Sequence, residues 1–142
     1  MGRILAIDYG KKRSGIAVTD ELKIIATGLS TVPTLELLNF LKDYLRRERV
    51  ECMVVGEPKQ MDNTPSEASV IIEPFVKKLR NTFPDVRIAR MDERFTSLLA
   101  TRAIRESGVR KKVRQDKALI DTVSATLILQ SFMEQEQNKY LK

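Results

Sequence analysis

With 142 residues, 42% of them hydrophobic and 31% charged, the chain is predicted to be one soluble globular domain, residues 1–142, with a substantial core. Its net charge of +6 and pI near 9.6 favour a polyanionic partner, nucleic acid ahead of an anionic membrane. It has no histidine and one cysteine, Cys52, which excludes Ser-His-Asp and Cys-His catalysis, imidazole zinc sites and an intramolecular disulfide.

No apolar run approaches the ~18–20 residues of a membrane span, and the N-terminus lacks the pattern of a signal peptide. The expected location is the cytoplasm, with no membrane partner.

The first predicted element is RILAID, whose run Ile4, Leu5, Ala6, Ile7 fits a central strand covered on both faces. It ends in Asp8. Gly10, the cations Lys11, Lys12 and Arg13, and Gly15 follow, then a second strand over 15–18 that closes with Thr19 and Asp20. A carboxylate at a strand end beside a glycine and a basic turn suits a metal ion or a phosphate; the same residues also suit a plain hairpin turn with solvated lysines. Residues 24–32 form the third strand candidate. The connections are too short for helices, so these three strands should form an antiparallel meander. Pro33 should stop it, and Thr34 should cap a helix in which Leu35, Leu38, Leu41 and Leu45, with Leu37 and Tyr44, recur at helical spacing to about residue 49.

The fourth strand is expected over 51–56, then a loop over 57–63. Thr64-Pro65-Ser66-Glu67 reads as a capping box. The helix after it carries Ala68, Ile71, Ile72, Phe75, Val76 and Leu79 on one side, and Pro74 inside it predicts a kink or an early break. The fifth strand spans 86–91, with Asp92-Glu93-Arg94 directly at its C-terminal end. Thr96 can cap and Gly108 can end a further helix, residues 108–115 form a loop, and Asp116 can cap a last helix to about residue 137. The order predicts an α/β fold: a mixed five-stranded sheet, a three-stranded antiparallel meander plus two parallel strands, with helices on both faces. Ligands bind such sheets beyond the carboxyl ends of the strands.

Asp8 and Glu93 both leave predicted strand ends, and would share a rim if those strands are neighbours. Asp121 stands near the start of the last helix, with Ala125, Ile128 and Phe132 at +4, +7 and +11 below it. That places an acid on an apolar stripe, which is costly without a partner; an Asp serving the helix dipole is the plainer alternative. Close carboxylates repel by roughly 4 kcal/mol per pair at ~4 Å and an effective dielectric near 20, so a cluster of three calls for a cation. Oxygen ligands suit Mg²⁺ or Mn²⁺, which activate water and stabilise a leaving oxygen in phosphodiester cleavage. Residues 102–117 hold seven cations against two acids, a net of +5. Such a run is often only a solvated face. Here Arg110, Lys111, Lys112 and Arg114 immediately precede the helix of Asp121, which favours contact with a phosphate backbone.

DYGKKRSGIAVTD, VVGEPKQMDN, DERFTS and DKALIDTVSATLILQ, in this order, resemble the YqgF/RuvX family of ribonuclease H-like proteins over essentially the whole chain. The resemblance implies a ribonuclease H-like fold and metal-dependent phosphodiester hydrolysis, with Asp8, Glu93 and Asp121 as the acidic site. Arg13 and Arg94 match its basic positions. Glu57 and Ser124 depart from its pattern, at positions where an apolar residue and an alanine are usual. The substrate expected first is the 5′ end of precursor 16S rRNA or its ribosomal particle, and second a Holliday junction or other branched DNA. A non-catalytic ribosome- or RNA-binding protein is the reading from another class, and an actin-like ATPase a remote one, since those usually pair two such domains. A monomer and a homodimer are both compatible with the sequence.

Overall fold

The computed structural model describes residues 2–57, 67–92 and 117–140. Strands β1 (Arg3–Asp8), β2 (Arg13–Thr19) and β3 (Ala26–Pro33) form the antiparallel meander. Strands β4 (Val50–Glu57) and β5 (Arg87–Asp92) continue the sheet in parallel with β1, in the order β3-β2-β1-β4-β5. The described helices are α1 (Leu37–Arg47), α2 (Glu67–Thr82) and α3 (Lys117–Tyr140). The sheet is mixed and five-stranded, as the pattern of apolar runs implied.

The central place of β1 follows from its four consecutive apolar residues. Successive side chains of a strand point to opposite faces. Leu5 and Ile7 pack with Leu37 and Leu41 of α1 and Ile72 and Phe75 of α2. Ile4 and Ala6 pack with Ala125, Ile128, Leu129 and Phe132 of α3. Each of these large side chains taken out of water contributes roughly 1.5–3 kcal/mol, so both helical layers are held to the strand that ends in Asp8.

Several local expectations are corrected. β3 begins at Ala26, because Ile24 and Ile25 belong to the preceding turn: their N–H groups donate to the Asp20 carboxylate at 2.7 and 2.8 Å. Those bonds, that of Ile25 first, hold the Asp20 carboxyl below the usual carboxylate range. Lys23 adopts φ 60° to close the turn. Pro33 is the last residue of β3, tolerated there because β3 is the sheet edge. Thr34 does not cap the helix with its side chain. It opens a 3₁₀ turn, Thr34–Glu36, and α1 starts at Leu37. Leu35 is 98% exposed and lies off the apolar stripe, which is carried by Leu37, Leu41 and Tyr44. Nor does α2 break at Pro74, which is exposed. Ile72, Phe75, Val76 and Leu79 are buried against the sheet on both sides of the proline, and that packing outweighs one lost backbone hydrogen bond. The predicted capping residues Thr64, Pro65 and Ser66, the helix from Thr96 to Gly108, the loop over 108–115 and the cap at Asp116 lie outside the described residues.

Candidate active site

Alternation along β1 decides where Asp8 stands. Ile4 and Ala6 face α3, so Asp8, two residues further, lies on the α3 side of the sheet; it is half-buried. Asp8 pairs with Gly15 on β2, and Gly15 pairs with Thr31 on β3. The Thr31 hydroxyl lies 2.5 Å from that of Thr122 on α3. At the other end of the helix, Phe132 packs with Ile4 and Cys52, and Glu136 is paired with Arg87 at the start of β5. The helix therefore runs opposite to β1, and its first turns stand over β3, at the level of the sheet where β1 ends. Gly28 lets it settle there: a Cβ at Gly28 would stand 2.5 Å from Cγ2 of Thr122.

Asp121 immediately precedes Thr122. Ala125, Ile128 and Phe132 are buried against the sheet, so the stripe expected below Asp121 is present and the backbone of Asp121 stands at its head. The condition set for Glu93 is not met as stated. β1 and β5 are not neighbours; β4 stands between them, so their ends are two strand spacings apart, roughly 10 Å. Because all three strands are parallel, they end on one edge all the same. β5 is described to Asp92, with Ala89 and Met91 on the α3 side. Glu93, Arg94, Arg110, Lys111, Lys112 and Arg114 lie outside the described residues. Among the described residues no three His, Cys, Asp or Glu side chains are grouped to hold a metal ion; of the proposed acidic trio, Asp8 is the one whose side chain is described.

The basic turn after Asp8 is held by a closed ring of hydrogen bonds. The Gly10 N–H donates to Ser14 Oγ at 3.3 Å. Ser14 Oγ and Thr34 Oγ1 are 2.9 Å apart, and the Thr34 hydroxyl donates to the Gly10 carbonyl at 2.6 Å. The Thr34 N–H donates to the Lys12 carbonyl at 2.9 Å. Lys11 and Lys12 are exposed, Arg13 is half-buried, and Ser14 is fully buried. From the sequence Thr34 was read only as a helix cap, and Ser14 was not singled out. A serine inside an otherwise apolar strand was the available signal, since a buried hydroxyl needs a partner.

Gly10 is required by close approach: a Cβ there would sit 2.2 Å from the Arg13 carbonyl oxygen, which is backbone and cannot rotate away. Gly10→Ala is expected to cost about 1–3 kcal/mol, the range for overpacking, or roughly 4–10 °C in Tm for a chain of this size. Thermal unfolding followed by circular dichroism checks it; an unchanged Tm would mean the turn shifts aside without strain.

Other reactive groups stand apart from this edge. Burial pushes the Cys52 thiol up to about 11, so it is a core group rather than a nucleophile. Tyr9 points to the opposite face from Asp8, stacks on Phe75 at 4.5 Å, and burial raises its hydroxyl above the ordinary value. A cavity of about 1080 Å³ opens at the far edge, among Ile4, Ile25, Cys52 and Phe132. Three acids line it, Glu51, Glu134 and Glu136, and of these Glu51 and Glu136 are paired with Lys23 and Arg87.

The strand order, the helical layers and the carboxylate at the end of the central strand define a ribonuclease H-like α/β protein. The fold likeness extends to the fowlpox virus Holliday junction resolvase, with a TM-score of 0.53 at 13% identity over 94% of this chain and 99% of that one. A structure of fowlpox virus resolvase with substrate Holliday junction DNA gives 0.52 at 14%, over 94% and 97%. The chain belongs to the RuvX family, described as Holliday junction resolvase, which matches residues 2–135. A Flavobacterium johnsoniae protein named "Putative pre-16S rRNA nuclease" is 53% identical over 96% of this chain and 99% of its own. A protein of the same name from Porphyromonas gingivalis is 57% identical over 94% and 97%. No described helix is long and apolar enough to cross a membrane.

Proposed function

We propose that this chain is a single-domain, metal-dependent endonuclease of the cytoplasm that hydrolyses a phosphodiester bond near the 5′ end of precursor 16S rRNA. The observation that carries the reading is the placement of Asp8. It ends the central strand on the face covered by α3, beside a braced basic turn, and the first turns of α3, which contain Asp121, stand over β3 on that same face. Family membership and the name borne by relatives more than half identical point to the same chemistry and favour RNA.

Asp8 and Asp121, with Glu93, the next residue in the chain after β5, would form an all-oxygen donor set. That set fits Mg²⁺ or Mn²⁺, and with no histidine in the chain it does not suit zinc. The ion supplies charge for the developing transition state and lowers the pKa of a water. The protein's part is to hold the carboxylates in place. The exposed lysines of the turn, with Arg13, Arg94 and the cations Arg110, Lys111, Lys112 and Arg114, bind the substrate backbone.

The test is incubation with Mn²⁺ or Mg²⁺ and either a precursor 16S rRNA fragment or a four-way DNA junction, with the cuts mapped. Cleavage of the RNA at one position near the mature 5′ end is expected. Symmetric cuts in the junction alone would make the chain a resolvase. Binding without cleavage of either substrate would make it a passive RNA-binding protein.

A further inference from the structure

Thr34 stands at the tail of the edge strand, 26 positions along the chain from Asp8, yet two of its bonds end on the turn that follows Asp8 and a third on Ser14 at the start of β2. Its N–H holds the Lys12 carbonyl at 2.9 Å. Its hydroxyl holds the Gly10 carbonyl at 2.6 Å and stands 2.9 Å from the buried Ser14 hydroxyl, which in turn takes the Gly10 N–H. The donors are fully assigned by this ring. Because the Thr34 proton goes to a carbonyl, Ser14 must donate to Thr34. No bond in the ring involves the side chain of Lys11 or Lys12. The ring fixes the backbone from which both exposed side chains project.

We propose that Thr34 is a positioning residue for substrate binding: it fixes the basic turn so that Lys11 and Lys12 meet a substrate phosphate next to Asp8. This rests on the nucleic-acid reading of the site. The physical reason is preorganisation. A lysine is a point charge on a flexible stem, so the position of its Cα sets where that charge is spent. Tyr9 anchors the start of the turn by its stack on Phe75, and the Gly10–Lys12 part that carries the lysines keeps its shape through hydrogen bonds to its backbone. Two of those come from Thr34.

The test is Thr34→Val, which keeps the branched shape and loses the hydroxyl, with Thr34→Ser as the conservative variant. Thr34→Val should weaken binding of the RNA fragment roughly tenfold, the scale of one lost phosphate contact. KM should rise with kcat held within about twofold, and the log–log salt slope should flatten by roughly 0.7–0.9. Thr34→Ser should restore all three. In a Lys11→Ala/Lys12→Ala background, Thr34→Val should add nothing, because it acts through those side chains. Ser14→Ala breaks the same ring at another link and reads the same contact should Thr34→Val fail to fold. A valine variant with a lower Tm but parental affinity would overturn the proposal, as would an equal loss of affinity with and without the two lysines. A parent that binds and cleaves beside an indistinguishable Thr34→Val sinks this inference alone. A parent that binds neither RNA nor junction sinks the nuclease reading, and this one with it.

Discussion

Asp8→Asn is expected to lower cleavage by roughly a hundredfold or more, the scale of losing one electrostatic group at a reaction centre, while substrate binding is kept or tightened. The amide has the shape of the carboxylate and removes only its charge. If Asp8 were simply the last residue of β1, the exchange would be almost silent, since Ile4–Ile7 carry the packing of that strand. If it holds a cation, the charge is what matters. Removing a negative group beside the phosphates also relieves a repulsion, which is why affinity should not fall. On the proposed reading Glu93, next in the chain after β5, is the second carboxylate of the site, so Glu93→Gln should behave in the same way. Calorimetric titration with Mn²⁺ gives an independent reading: Asp8→Asn should weaken it. Cleavage and binding are to be measured on one preparation, with circular dichroism to confirm folding. Equal cleavage by Asp8→Asn and parent would trace the activity to a contaminant or to a site elsewhere on the chain.

Replacing Arg110, Lys111, Lys112 and Arg114 together with alanine is expected to act on affinity instead of chemistry. If each cation neutralises one phosphate, the log–log salt slope flattens by roughly 3, at about 0.7–0.9 per contact. Counterion release of that size corresponds to about a thousandfold weaker binding near 0.1 M salt. At saturating substrate the cleavage rate should stay near that of the parent, since the carboxylates are untouched. Filter binding or anisotropy across a salt series reads both quantities. An unchanged slope would show that this run of charge is a solvated face and that the cations which matter are those of the Gly10–Arg13 turn.

The order of the described elements and the acid at the end of β1 were legible from the sequence because they depend on local patterns. Ile4–Ile7 is apolar without interruption, which fits a strand covered on both sides, and it is covered by α1 and α2 on one face and α3 on the other. Ala125, Ile128 and Phe132 recur at helical spacing from Asp121, and all three are buried. Such periods survive folding because the two faces of a strand, or the stripe of a helix, meet different solvents.

What the sequence could not carry were relations between residues distant along the chain. That β4 stands between β1 and β5 is a matter of strand order, which no local period encodes. Thr34 looks like a helix cap from its neighbours, but its hydroxyl donates to the Gly10 carbonyl and its N–H to the Lys12 carbonyl, both in the turn that follows Asp8. Pro74 should break a helix on propensity alone, and tertiary burial of Ile72, Phe75, Val76 and Leu79 overrides it. The candidate chemistry is thus written in single residues such as Asp8. The turn of Asp121 comes to the face on which Asp8 stands only once α3 has docked across the sheet, through Thr122 against Thr31 and Gly28, and the Thr122–Thr31 contact joins residues 91 positions apart in the chain.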